Sequence, residues 1–237
     1  MGRKPLRSAF FLGMRDCAPF ILVVVPFAML FGVLATEAGW NLGQTFAMSF
    51  VVIAGASQFA AVQLVKEGAP FLVIVLTGLA VNLRMAMYSA SLAPHLGPAP
   101  LWQRALAAYC LTDQTYGVSI HRFTERPGMP IDQKMAYFLG AVLAICPLWY
   151  VFTLVGALAG QAIPPAYALD FAAPITFIAL FAPALRDLPY LAAALVSVAA
   201  ALLLAWMPYN LWLPAAALLA MGAGAGVEMM LERRRLP

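Results

Sequence analysis

Residues 81–88 read VNLRMAMY, which sets Asn82 and Arg84 in the middle of a long apolar run. A cation in hydrocarbon needs a carboxylate, a ring of carbonyls or an anionic ligand. The following apolar segment offers Asp113, flanked by Tyr109, Thr112 and Tyr116. Tyr109, Asp113 and Tyr116 follow i, i+4, i+7 spacing and are expected to share one helix face. Arg84 and Tyr88, four apart, also share a face, whereas Asn82 points nearly opposite and is expected to bond a neighbouring helix. Two chemistries suit an Arg84–Asp113 pair at this depth. It can clamp two helices, in which case removing one partner typically costs about 3–5 kcal/mol. It can also load and release a proton, since burial and a nearby cation set the carboxyl pKa. Both readings stand.

A second group of polar residues lies in Gly55-Ala56-Ser57-Gln58. Small residues let a neighbouring backbone approach closely, and a locally opened helix would expose amides and carbonyls able to hold a zwitterion. The competing reading is that Gly55 only packs helices and Ser57 bonds its own helix. A third group, Asp170, Pro174, Thr176 and Pro183, interrupts a short apolar segment. The cores IAGASQFAA (53–61) and FAAPITFIA (171–179) resemble each other, as equivalent interrupted helices of a parallel repeat would. The substrate-contacting candidates are therefore Gly55, Ser57, Gln58, Asn82, Arg84, Tyr88 and Thr176. Asp113 with Arg84 is the coupling candidate, and Tyr109, Thr112, Tyr116 and Pro174 shape the polar cluster around them.

These residues need a membrane-spanning scaffold. The chain has 237 residues, 64% hydrophobic and only 10% charged, against roughly 25% charged in a soluble domain. Apolar segments near the ~20 residues that cross a bilayer occur at 17–36, 44–65, 70–92, 102–121, 136–158, 168–184, 189–207 and 211–230. The expected fold is one all-α integral membrane domain over 1–237, a polytopic bundle of about eight spans. It has seven if 168–184 re-enters. With the N-terminus inside, most Lys and Arg fall on the cytoplasmic side, as the positive-inside rule asks. Arg84 within the third span and Arg104 at the outer start of the fourth are the exceptions. The basic N-terminus before the first apolar run reads as the flank of a retained helix, not a cleaved signal. Cys17, Cys110 and Cys146 are odd in number and scattered, and with only His95 and His121 no metal, disulfide framework or cofactor is indicated.

Several stretches together resemble the AzlC family, the large subunit of branched-chain amino acid exporters. They are APFILVVVPFAMLFGVLA (18–35), AGASQFAAV (54–62), NLRMAMYSASLAPHL (82–96), LTDQTYG (111–117) and LDFAAPITFIALFAP (169–183). The resemblance implies a bacterial inner-membrane permease with cytoplasmic termini, working with a small hydrophobic AzlD-type subunit. It also implies export of leucine, isoleucine and valine, with methionine a further candidate, driven by the proton motive force. Family members often carry His at the position of Met85 and Glu at that of Gln114, so Arg84 and Asp113 stand here as the ionisable pair. No Walker motif, paired Asp–Asp, HExxH or Ser–His arrangement appears, which argues against an ATPase or an enzyme. A channel, a scaffold subunit or an exporter of another small hydrophobic metabolite remains the alternative.

Overall fold

The computed structural model describes residues 3–162, 185, 187–207 and 211–235. These residues are helical with no strand among them: α1 (Arg3–Cys17), α2 (Ile21–Glu37), α3 (Leu42–Val51), α4 (Gly55–Lys66), α5 (Phe71–Val81), α6 (Leu83–Leu96), α7 (Leu101–Tyr109), α8 (Asp113–Glu125), α9 (Ile131–Ala162), α10 (Leu188–Leu204) and α11 (Trp212–Arg235). Among them, Pro5–Glu37, Phe71–Leu96, Ile131–Gln161 and Trp212–Leu231 are long and apolar enough to cross a membrane, and Leu188–Leu204 is a shorter apolar helix. The protein is a multi-pass helical membrane protein. The segment expected at 168–184, with Asp170, Pro174 and Thr176, lies outside the described residues.

The boundaries follow local chemistry. At Gly39 (φ 83°) and Gly68 (φ 67°) the chain enters the left-handed region that terminates α2 and α4. There Trp40 N–H donates to Ala35 O and Ala69 N–H to Leu64 O, the wide closing bonds of that motif. Asn41 starts α3 and Thr112 starts α8, each in a reciprocal capping box, with Gln44 and Thr115 respectively. The prolines of Gly97-Pro98-Ala99-Pro100 stop α6 and permit a turn into α7.

The chain forms two compact units, Met1–Gln58 with Asn82–Pro164, and Phe59–Val81 with Pro165–Pro237. In the first, α1 passes through a short 3-10 turn (Ala18–Phe20) into α2. This continuous rod packs against α9 through backbone-to-backbone approach. A Cβ on Gly13 would strike the Tyr137 carbonyl, and one on Gly140 the Phe10 carbonyl. Farther along, Gly156 faces the Met29 backbone and Gly160 faces Val33 and Thr36. Contacts advance together along both rods, so they run parallel, held by small residues where hydrocarbon supplies no hydrophobic drive. In the second unit α11 packs on α10 and α5, with Gly224 against Ala193 and the Pro189 carbonyl.

Segment 102–121 departs from the single crossing expected of it. Arg84 meets Asp113, Tyr88 stacks on Tyr116, and His95 lies beside Phe123. Sequence position thus rises together on α6 and α8, which run parallel, and α7 between them must return. At 1.5 Å per residue the nine residues of α7 span about 14 Å and the thirteen of α8 about 20 Å, short of a ~30 Å core. The 101–125 stretch is a helical hairpin whose tip is 110–112. Its consequence is electrostatic. Arg104 lines a cavity with Leu96, Gly97 and Phe138, and Leu96 and Phe138 share a core with Phe123 and Met135. So Arg104, expected on the outer side, joins the end that carries Arg122, Arg126 and Lys134. That relocation removes the one loop arginine which ran against the charge rule.

The glycine contacts make a sharp expectation. Gly140→Ala and Gly156→Ala should each destabilise the solubilised protein, by about 1–3 kcal/mol as overpacking does. Gly117→Ala, where nothing lies within reach of a new Cβ, should leave the midpoint of thermal unfolding in detergent unchanged or raised.

Candidate functional site

Three helices break at one depth. The chain leaves α3 at Val52 in extended conformation (φ −126°, ψ 93°) and resumes at Gly55. It breaks again at Asn82 (φ −87°, ψ 0°) and at Thr112 (φ −130°, ψ 167°). Within the first unit two of these breaks can be placed against α9, whose 32 residues measure about 48 Å. Gly55 packs on Trp149, the free thiol of Cys110 lies beside that of Cys146, and Tyr109 shares a hydrogen bond with Tyr150. Residues 146–150 are the middle of that helix. The Asn82 break joins them, because Asn82 Nδ2 donates to Ser57 Oγ at 3.1 Å.

The break at 52–54 folds the chain back on itself. In a straight helix residues nine apart would lie about 13 Å along the axis, yet Gln58 Nε2 donates to Ser49 Oγ at 3.1 Å. Ser49 in turn shares a 3.2 Å bond with Thr153 of α9. Ser57 Oγ donates to the Ala54 carbonyl at 2.9 Å, which also accepts from Gln58 N–H at 3.1 Å, and accepts from Asn82. Asn82 thus bonds a neighbouring helix, as its sequence position led one to expect. It stands at a one-residue turn between α5 and α6 within the long Phe71–Leu96 stretch.

Arg84 Nη1 meets Asp113 Oδ2 at 3.0 Å. Tyr88 lies beside Asp113 and stacks on Tyr116 with ring centroids 4.1 Å apart and planes within 9°. Tyr116 OH donates to Ser91 Oγ at 3.1 Å, so α6 and α8 are stitched along two turns. The side chains of Arg84 and Asp113 remain 29% and 39% exposed, so the pair is reachable and not sealed in the core. Gln58, by contrast, is fully buried. Arg84 Nε, Asp113 Oδ1, Asn82 Oδ1, Gln58 Oε1 and Trp149 Nε1 are buried atoms without a hydrogen-bond partner. A donor or acceptor in that condition costs about 1–3 kcal/mol. Several such atoms of both polarities at one depth are what a polar solute would satisfy.

Other expected site residues move elsewhere. Tyr109 does not share a face with Asp113, because the break at 110–112 separates them. Its hydroxyl donates to the Phe50 carbonyl at 2.6 Å, closing an acceptor in the last turn of α3, and its ring sits with Phe50. Thr112 caps α8 and Thr115 N–H donates to it at 3.2 Å. Gly55 is a packing position, since a Cβ there would strike Phe27 and Trp149. Pro174 and Thr176 lie outside the described residues. Two features escaped sequence reading. The free, buried thiols of Cys110, at the end of α7, and Cys146, in α9, lie within hydrogen-bonding reach of each other despite their separation in sequence. Asp16, at the end of α1, accepts from Tyr137 OH of α9 at 2.7 Å.

A family model described as AzlC protein matches residues 19–163. The chain belongs to the AzlC family. The match covers the three breaks and every described residue of the site. The chain is 26% identical over 179 residues to "Inner membrane protein YgaZ" of Escherichia coli (strain K12), covering 73% of this chain and 72% of that protein. It is 29% identical over 185 residues to an "Uncharacterized membrane protein" of Archaeoglobus fulgidus, covering 76% and 78%. A Helicobacter pylori "Uncharacterized membrane protein" is 27% identical over 154 residues, 65% of each chain. No solved structure matches. In this AzlC protein the ion pair joins the start of α6 to the tip of the α7–α8 hairpin. Arg84→Gln and Asp113→Asn should each lower the yield of folded, monodisperse protein, and the double variant should recover part of it, because it leaves no lone charge. Size-exclusion profiles of the three variants in one detergent check this.

Proposed function

We propose that this AzlC protein is a secondary-active inner-membrane exporter of branched-chain amino acids, leucine, isoleucine and valine, with methionine a further candidate. In this reading it has no enzymatic activity, works with a small AzlD-type hydrophobic subunit, and keeps its basic end and termini in the cytoplasm. The observation that carries the reading is the convergence of three helix breaks on unsatisfied donors and acceptors at mid-depth. Interrupted helices of this kind supply substrate sites in transporters. The first-turn N–H groups of α4 lack intrahelical partners and carry the positive end of its dipole, which suits a carboxylate. Arg84 Nε adds a charged donor. The free oxygens of Asn82 and Gln58 and the carboxylate of Asp113 suit an ammonium group. The stacked rings of Tyr88 and Tyr116 and the phenyl and indole groups of Phe27 and Trp149 provide apolar walls.

Coupling follows from the ion pair. A proton on Asp113 cancels its charge and releases Arg84 to a substrate carboxylate. Loss of the proton restores the pair and expels the anionic group. Asp113 is thus the proton site and Arg84 the residue that exchanges partners.

The test is leucine efflux from cells loaded with a leucine-containing dipeptide, expressing the chain with and without the small subunit. Efflux above empty vector, lost in Asp113→Asn or stripped of its pH dependence there, is the expected result. Efflux equal to empty vector in both arrangements would sink the exporter reading. Asn82→Ala should raise the half-saturating leucine concentration by about tenfold, the scale of one charge-assisted hydrogen bond.

A further inference from the structure

A cavity of about 440 Å³ opens at the basic end of the first unit, away from the breaks. Arg122 and Arg126 line it, with Ser8 and Leu12 of α1, and Pro130 and Gln133 at the start of α9. None of its lining residues is acidic. Arg122 Nε is buried without a hydrogen-bond partner. Glu125 stands 4.0 Å from Nη1 and lies closer, at 3.3 Å, to His121. The guanidinium is therefore incompletely neutralised. At the opening of the 32-residue α9 the Gln133 and Lys134 N–H groups already donate to the Pro130 carbonyl, which leaves those of Ile131 and Asp132 at the positive end of the helix, beside the Asp132 carboxylate. Ser8 and Gln133 add neutral donors. Leu12 and the exposed apolar face of α1, where Phe11 is 57% exposed, provide a hydrocarbon wall beside the charged floor.

From this geometry we infer that the cavity is a binding site for a phosphate ester. Arg122 and Arg126 hold the phosphoryl oxygens, two planar forks matched to that shape, and the α9 N-terminus supplies backbone donors. The same chemistry comes from two sources, an anionic phospholipid headgroup with its acyl chain along Leu12, or a soluble phosphate. The inference does not rest on the transport reading, because the cavity shares no residue with the break site.

Purified full-length protein in neutral detergent would be titrated separately with phosphatidylglycerol, phosphatidylcholine and inorganic phosphate. The unfolding midpoint and the one-to-one adduct in native mass spectrometry are the readouts. The expected result is saturable phosphatidylglycerol binding that phosphatidylcholine does not reproduce. Arg122→Gln/Arg126→Gln should weaken it by on the order of tenfold or more, given the attraction of each basic residue to anionic lipid. Arg233→Gln, in the terminal basic tail, should leave it unchanged. Inorganic phosphate binding with the same variant pattern, and no gain from the lipid, would assign the site to soluble phosphates. Equal binding of phosphatidylcholine, or equal losses in the double variant and in Arg233→Gln, would overturn the inference, as would no binding by any probe. Should the double variant fold poorly, Arg126→Gln alone, at an exposed position, carries the comparison.

Discussion

A helix broken in hydrocarbon frees N–H and C=O groups that no water reaches, and each must find a partner inside the protein. That requirement organises the first unit. At the break after α3 Tyr109 closes the Phe50 carbonyl, and the Ala54 carbonyl accepts from both Gln58 N–H and Ser57 Oγ. The break before α8 is closed by the reciprocal Thr112–Thr115 cap. The Asn82 break is tied to Ser57. The breaks depend on one another for satisfaction, which is why they sit at one depth. What the network leaves unsatisfied, a guanidinium nitrogen, a carboxylate oxygen and two amide oxygens, marks where a solute would be held.

The scaffold makes that arrangement affordable in a medium that gives helices little reason to associate. The α1–α2 rod and α9 approach backbone to backbone at Gly13, Gly140 and Gly156. Close approach yields dispersion contacts and a rigid axis against which short half-helices can be placed. Trp149 and Tyr150, at the centre of α9, then locate the ends of α3, α4 and α7. The Arg84–Asp113 pair adds a tie between α6 and the hairpin tip that is strong only while both partners are charged.

Much of this could be read from residue types alone. Membrane residence followed from the scarcity of charge, and the depth of Arg84 demanded an acid, which Asp113 supplies. The small residues of Gly55-Ala56-Ser57-Gln58 raised an opening there, but the break falls just before them, at 52–54, and they form the first turn of α4. The path of the chain was not. Hydropathy averages over a window and sees α7 and α8 as one apolar stretch, because it carries no sign for direction. The break at 110–112 depends on Thr112 adopting extended backbone and capping α8, a local choice that a helical-face argument presumes away. Tyr109 was consequently placed with Asp113 when it closes α3 instead. Arg104 was placed outside for the same reason. Asp16 and the Cys110–Cys146 contact depend on helices meeting far along the sequence, which periodicity within one helix cannot report.

The doubling back of α7 and α8 is the feature on which the site's geometry most depends, and vectorial labelling tests it directly. Trp102→Cys and Pro127→Cys, each in a background with Cys17, Cys110 and Cys146 replaced, would be exposed to a membrane-impermeant maleimide in sealed right-side-out and inverted vesicles. A re-entrant hairpin predicts that both positions react from the same side of the membrane. Reaction of Trp102→Cys from one side and Pro127→Cys from the other would show that 101–125 crosses, and would contradict the account.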